Sequence, residues 1–294
     1  MKLIKESESL LINQTNILIY GEAGVGKTSI ASTSKNPILL DFDEGAYRSG
    51  YRKDILKISD FSEIKDDFKN FINIISEYDT IIIDTIGSLQ DMIKSYLIIK
   101  DPSLTNKRKS FELWGNMLSE TMDFFKIVKS LKKSTISVAH IQEKMRGDDI
   151  IKRPVIAGQS KDQLYRLMDF IGYMYFRNGL REITFSPKDD GVEGKNTGGY
   201  SDMKVPNVMD DNYFEIEMIN MLGAVNNQNK SNEEAIKEIK FYKEKIADFT
   251  SAEHFNNLLK SITDVKQKNI IWEMLLDFAR KLDLNYDKTK KEFK

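Results

Sequence analysis

The chain has 294 residues, 40% hydrophobic and 30% charged, enough for one full α/β core with a smaller unit appended. Its 44 basic residues stand against 45 acidic ones, a formal net charge of −1 that excludes a globally basic nucleic-acid binder; any such contact uses a local patch and is salt-sensitive. With no cysteine and only His140 and His254, disulfides, thiolate chemistry, Cys-based zinc sites and a His-rich metal centre are excluded too.

The first expected element is a strand over Asn16 to Tyr20. Directly behind it, Gly21-Glu22-Ala23-Gly24-Val25-Gly26-Lys27-Thr28 fits G-x-x-x-x-G-K-[ST], a P-loop, ahead of the helix-permissive Ser29-Ile30-Ala31-Ser32. The chemistry needs those residue types. Glycines let backbone N–H groups turn onto phosphate oxygens, Lys27 neutralises β/γ charge, and the Thr28 hydroxyl completes a Mg²⁺ shell. Gly21 to Ser29 are therefore expected to hold a nucleoside triphosphate.

A second strand, Pro37 to Phe42, runs into Asp41-Phe42-Asp43-Glu44-Gly45, three acids at the edge where a doubly wound sheet binds its ligand. One of them is expected to orient the attacking water, and spacing alone leaves Asp43 and Glu44 even. After a strand at Ile55 to Ile58, Asp60 caps a helix carrying Ile64, Phe68, Phe71, Ile72 and Ile75. Thr80 to Asp84 then reads as a buried strand ending in the Walker B carboxylate, Asp84, which with Thr28 is expected to hold Mg²⁺. No glutamate follows Asp84, so the base comes from elsewhere.

Phe111, Trp114, Leu118, Met122 and Phe125 recur at helical spacing and read as a core stripe rather than a base-stacking face. A strand at Thr135 to Ala139 ends at His140, with Gln142 beyond it, both placed to sense a γ-phosphate. Three antiparallel strands are expected at Ile171 to Arg177, Glu182 to Ser186 and Phe214 to Met218, around a loop holding Gly191, Gly194, Gly198 and Gly199. Asn226-Asn227-Gln228-Asn229-Lys230 reads as a polar linker, and three amphipathic helices follow. The expected organisation is a P-loop domain over 1–225, a linker over 226–230 and a helical tail over 231–294.

Taken in order, the P-loop, the acid-bearing second strand, Asp84, Leu113-Trp114-Gly115 and the run from Ser134 to His140 resemble the phage RecA-like recombination ATPases of Sak type, over roughly residues 10 to 220. The resemblance implies an α/β RecA-like core with a mostly parallel sheet, an antiparallel extension and a small C-terminal helical region. It also implies ATP hydrolysis with Mg²⁺, single-stranded DNA binding, strand annealing or exchange alongside a single-strand DNA-binding protein, and homo-oligomeric assembly. Carried over by position, Gly21 to Thr28 cradle ATP, Asp84 holds Mg²⁺, Asp43 or Glu44 takes the place of the catalytic glutamate, and His140 ends the sensor strand. Lys195 falls where the family often places a lysine that reaches a neighbouring subunit's phosphate. The family's aspartate, one intervening residue and glutamate are replaced here by Asp41-Phe42-Asp43-Glu44, a departure at the base itself.

Two cationic stretches, Asn106-Lys107-Arg108-Lys109 and the region of Lys144, Arg146, Lys152, Arg153 and Lys161, are expected to be mobile loops that grip a DNA backbone. Rival readings are a P-loop kinase of a small substrate, with Arg146 and Arg153 on a lid, and an ATP-switched replisome or helicase-loader adaptor acting through the tail. The charged start, Met1 to Glu8, lacks a signal peptide's apolar core and no later run is of membrane-spanning length. The expectation is a soluble cytoplasmic protein, in the host cytoplasm if phage-encoded, with no membrane partner.

Overall fold

Alternation of buried side chains along short strands organises the larger part of this computed structural model, which describes residues 11–147, 149–187, 191–262 and 265–294. The expectation for Met1 to Glu8 lies outside the described residues. The chain divides into two compact units, one of residues 12–225 and a smaller one containing 226–294.

In the first unit, strands β1 (Asn16–Gly21), β2 (Pro37–Asp41), β3 (Asp54–Lys57), β4 (Thr80–Asp84), β5 (Ser134–Arg146), β6 (Asp149–Pro154), β7 (Phe170–Arg177), β8 (Leu180–Thr184), β9 (Lys195–Asn196) and β10 (Met203–Val205) form one sheet. Its order is β10-β8-β7-β1-β5-β4-β2-β3, with β6 on β5 and β9 on β7. The strands from β7 through β3 pair in parallel, while β8, β9 and β10 extend the sheet antiparallel. Helices α1 (Lys27–Ala31), α2 (Phe61–Asp66), α3 (Phe68–Ser76), α4 (Ile86–Lys100), α5 (Ser110–Ser130), α6 (Ser160–Leu167) and the start of α7 (Tyr213–Ala247) cover it. This is the mostly parallel, helix-flanked α/β core expected from the sequence.

The central strands are buried on both faces, as a parallel sheet under two helical layers requires. Leu18, Tyr20, Leu40, Ile81, Ile83 and Ala139 face one core with Ile86, Phe124 and Phe125. Their neighbours Ile17, Ile19, Leu39, Ile82 and Ile136 face the other with Phe214, Met218 and Met221. Because β5 lies between β1 and β4, the P-loop and the end of β4 flank the end of β5. That placement builds the site.

Five expectations are corrected. Ile171 to Arg177, expected as an antiparallel strand, pairs in parallel with β1 and is antiparallel only to β8 and β9. Phe214 to Met218 is helical, not a strand: Phe214, Met218, Met221 and Val225 are buried at a helical period. The expected linker, residues 226–230, also lies inside α7, since no glycine or proline occurs between Gly223 and Ala247 to stop it. The helix after Asp60 is two helices parted at Asp67, although Asp60 does cap the first by accepting from the Ser62 N–H at 2.7 Å. On α5, Met122 and Phe125 are buried as expected, but Phe111 is 88% and Trp114 45% exposed, so the first turn of the supposed core stripe faces outward.

In the smaller unit, α8 (Ala252–Ser261), α9 (Lys268–Lys281) and a hairpin of β11 (Tyr286–Asp287) with β12 (Glu292–Phe293) enclose a core of Phe255, Leu258, Ile271, Leu275 and Phe293. The two later expected helices correspond to α8 and α9. No helix among the described residues is long and apolar enough to cross a membrane.

Candidate active site

Three strand ends and the turn after β2 meet at a cleft of about 220 Å³. The P-loop enters it from β1. Gly24 and Gly26 have φ of 77° and 104°, values that favour glycine and let the loop wrap inward before α1 begins at Lys27. At Gly21 the constraint is space, because a Cβ there would lie 2.1 Å from the Met174 carbonyl oxygen on β7. Arg181 on β8 braces the loop, donating from Nε to the Val25 carbonyl at 3.0 Å and from Nη1 to Asn207 Oδ1 at 3.1 Å. No motif marks Arg181; only the folded sheet brings it there.

Lys27 is buried, and its ammonium donates to the carbonyls of Gly21 (2.9 Å) and Glu22 (2.7 Å). Burial pushes it below the usual lysine range, against the opposing pull of Asp84, Glu22 and Asp43. The Thr28 hydroxyl donates to Asp84 Oδ2 at 2.6 Å, so the two expected metal-binding oxygens lie side by side on the cleft floor. Asp84 is 4% exposed. Burial raises its carboxyl to about 6, the Thr28 hydrogen bond and Lys27 opposing that rise and Asp43 adding to it. A hard hydroxyl and a single carboxylate are what Mg²⁺ takes from a protein when phosphates and water supply its other ligands, so this donor pair fits the ion.

The acids after β2 separate cleanly. Asp41, buried and in register with Asp84, accepts from the Gly45 N–H (3.2 Å) and the Ala46 N–H (3.4 Å). It shapes the turn, and burial lifts its own carboxyl above the usual range, opposed by those two amides. Asp43 lines the cleft and accepts from the Gly45 N–H at 2.8 Å. Glu44, at φ 56°, pairs with Lys57 Nζ at 3.0 Å and is not among the lining residues.

His140 lines the same cleft opposite the P-loop, in register with Gly21. Burial first, then the Lys27 charge, hold its imidazole below the ordinary range, so the ring is neutral at neutral pH. Ala23, Gly24, Gly26 and Ser29 also line the cleft, together with Arg48, Ser49 and Thr85, which no sequence motif singles out. Ser29 and Ser49 share a hydrogen bond of 3.2 Å, tying α1 to the turn after β2.

Lys195 is not brought to this cleft. It sits on β9, in register with Ile171, and its ammonium donates to the Tyr165 carbonyl (3.0 Å) and the Met168 carbonyl at the end of α6. In its own chain it is a helix-terminus cation.

Beyond His140, β5 continues to Arg146 and pairs antiparallel with β6, from Ile141 opposite Pro154 to Arg146 opposite Asp149. The expected mobile loop is thus a β-hairpin, closed by the 2.8 Å bond from the Val155 N–H to the His140 carbonyl. It carries Lys144, Lys152 and Arg153; the side chain of Arg146 lies outside the described residues. The other cationic stretch, Lys107–Lys109, is a single 3-10 turn leading into α5.

No curated protein matches the chain. Among solved structures, a KaiC-like protein from the hyperthermophilic archaeon Pyrococcus horikoshii OT3 is similar at 15% identity and a TM-score of 0.35, over 68% of this chain and 87% of that one. A family model described as an AAA domain matches residues 13–197, a span that takes in the P-loop, Asp43, Asp84, His140 and Lys195. With more than half its length inside that match, the chain belongs to the AAA domain family of P-loop proteins.

Proposed function

We propose that this chain is a Mg²⁺- and ATP-dependent RecA-like ATPase that binds single-stranded DNA in phage-type recombination, annealing or replication. The observation that carries the reading is the course of β5. It passes between the P-loop strand and the Asp84 strand, presents His140 to the cleft, and runs on without a break into a hairpin bearing Lys144, Lys152 and Arg153. A change at the γ-phosphate position therefore has a direct covalent route to the hairpin, one face of which carries Lys144 and Arg153 for a phosphate backbone while Lys152 lies on the other face, opposite Glu143.

In this reading the loop amides wrap the triphosphate, and the Lys27 ammonium exchanges its two carbonyl partners for β/γ oxygens. Thr28 and Asp84 would hold the ion, which when bound would supply positive charge to offset the charge developing on the phosphate. Asp43 orients the water in line with the γ-phosphate, chiefly a positioning task. Asp41 fixes the turn that aims Asp43. His140 makes one hydrogen bond at the γ position and transmits its state to the hairpin. Head-to-tail self-assembly and cooperation with a single-strand DNA-binding protein complete the proposal.

An ATPase assay with and without single-stranded oligonucleotide tests it. DNA-stimulated hydrolysis is the expected result. Hydrolysis indifferent to DNA, with no binding at low salt, would remove DNA from the proposal, and phosphate transfer to an added nucleoside would replace it with a kinase.

A further inference from the structure

Helix α5 begins with a face that the hydrophobic core does not use. Phe111 and Trp114, one helical turn apart, lie on the same side, and both are exposed. They form one wall of a separate pocket of about 170 Å³ whose other wall is the turn from Ala157 to Ser160, where Gly158 has a φ of 55°. Gln90 holds that turn in place, its side-chain oxygen accepting from the Ala157 N–H at 2.8 Å. Ser160 lines the pocket and is buried, yet its hydroxyl has no hydrogen-bond partner among the described residues.

The charges around this wall are mixed, with cations in excess. The Lys94 ammonium stands 5.5 Å from the centre of the Trp114 ring. Lys107 and Arg108 are exposed immediately before α5, whereas Lys109 is drawn to the neighbouring acids, Asp101 at 3.9 Å and Glu112 at 4.0 Å. Two exposed aromatic rings on one helix face, beside a pocket and flanking cations, together match a planar heterocycle joined to phosphates.

We infer that this pocket is a base-binding site for single-stranded DNA: Phe111 and Trp114 stack one unpaired base, and Lys94, Lys107 and Arg108 hold the adjoining phosphates. The inference rests on the proposed DNA-binding function and adds to it the residues that engage a base rather than the backbone. Stacking on aromatic rings tolerates any base, so the site confers grip without sequence preference.

The test compares full-length protein binding to oligo-dT and to an abasic oligonucleotide of equal length and charge. The wild type should prefer oligo-dT. Phe111→Ala and Trp114→Ala should each lose roughly tenfold in affinity for oligo-dT, with abasic affinity nearly unchanged, while Phe111→Tyr and Trp114→Phe keep the preference. Iododeoxyuridine in the oligonucleotide should cross-link to Phe111 or Trp114. DNA binding with the preference intact in both alanine variants, and cross-links elsewhere, would overturn the pocket and leave the broader function standing. Alanine variants that lose self-association by light scattering but keep the preference would assign the pocket to a second copy of the chain. No binding to either oligonucleotide would overturn pocket and DNA function together.

Discussion

In the P-loop cleft, Lys27, Thr28, Asp43 and Asp84 each already have a hydrogen-bond partner inside the fold, and Lys27 and Asp84 are buried. At the start of α5 the pattern is reversed: Lys107, Arg108, Phe111 and Trp114 project outward from a 3-10 turn and the first helical turns. A site that does chemistry needs its groups aimed before the ligand arrives, because misaiming costs rate directly. A surface that grips a flexible polyanion gains from adaptable side chains and tolerates their freedom. Substitutions in the first region should therefore alter turnover and stability together, and those in the second should alter binding alone.

The strongest test of that contrast removes the cleft's own charges. Lys27→Ala should abolish nucleotide binding, read by titration with a fluorescent ATP analogue, without unfolding the domain. Asp84→Asn should lower hydrolysis by roughly 10³-fold or more. Undiminished nucleotide affinity in the lysine variant would break the assignment of the cleft itself. Next in size is the choice between adjacent acids. Asp43→Asn should cost roughly 10²-fold in turnover, and Glu44→Gln less than about twofold, because only Asp43 lines the cleft while Glu44 pairs with Lys57. The opposite ranking would transfer the water-orienting role to Glu44.

Stability offers a third and smaller test. Burial raises the Asp84 carboxyl to about 6 in the fold, so the folded state holds that proton more tightly than the unfolded chain does. Its ionised form therefore destabilises the nucleotide-free protein, increasingly as pH rises from the unfolded value of 3.8 through about 6. Asp84→Asn lacks the charge at every pH. The variant should be the more stable at about pH 7.5, by at most about 3 kcal/mol, and the advantage should shrink as pH falls towards about 4. Chemical denaturation across that range reads it. An advantage that grows on acidification would contradict the burial argument.

The same contrast explains what was legible in the sequence. The P-loop and Asp84 are readable because contiguous residues on alternating, doubly buried strands must arrive at one sheet edge. Asp43 and Glu44 were not separable, since their divergence depends on the φ of 56° at Glu44 and on the two amides that Asp41 captures. The start of α7 misled for a local reason. Phe214-Glu215-Ile216-Glu217-Met218 alternates like a half-buried strand, but Ile216 is 50% exposed and the buried set continues at helical spacing to Val225. Phe111 and Trp114 failed differently: a helical stripe says which residues share a face, not whether a partner covers it. Arg181 had no signal at all, because its role exists only once β8 is laid beside β7.

The hairpin is where the smallest effect sharpens the comparison most. If Lys144 and Arg153 touch only phosphates, reversing either one should weaken single-stranded DNA binding by roughly tenfold or less at moderate salt. It should also flatten the dependence of log affinity on log salt by about 0.7 for each phosphate no longer neutralised. The aromatic substitutions on α5 should leave that slope alone, since stacking releases no counterions. Fluorescence anisotropy across a salt series separates the two. A flatter slope for Arg153→Glu with an unchanged slope for Trp114→Ala divides the DNA surface into a backbone-tracking hairpin and a base-holding helix face. Equal slopes in all variants would mean that the hairpin cations touch no phosphate, and β5 would then end its role at His140.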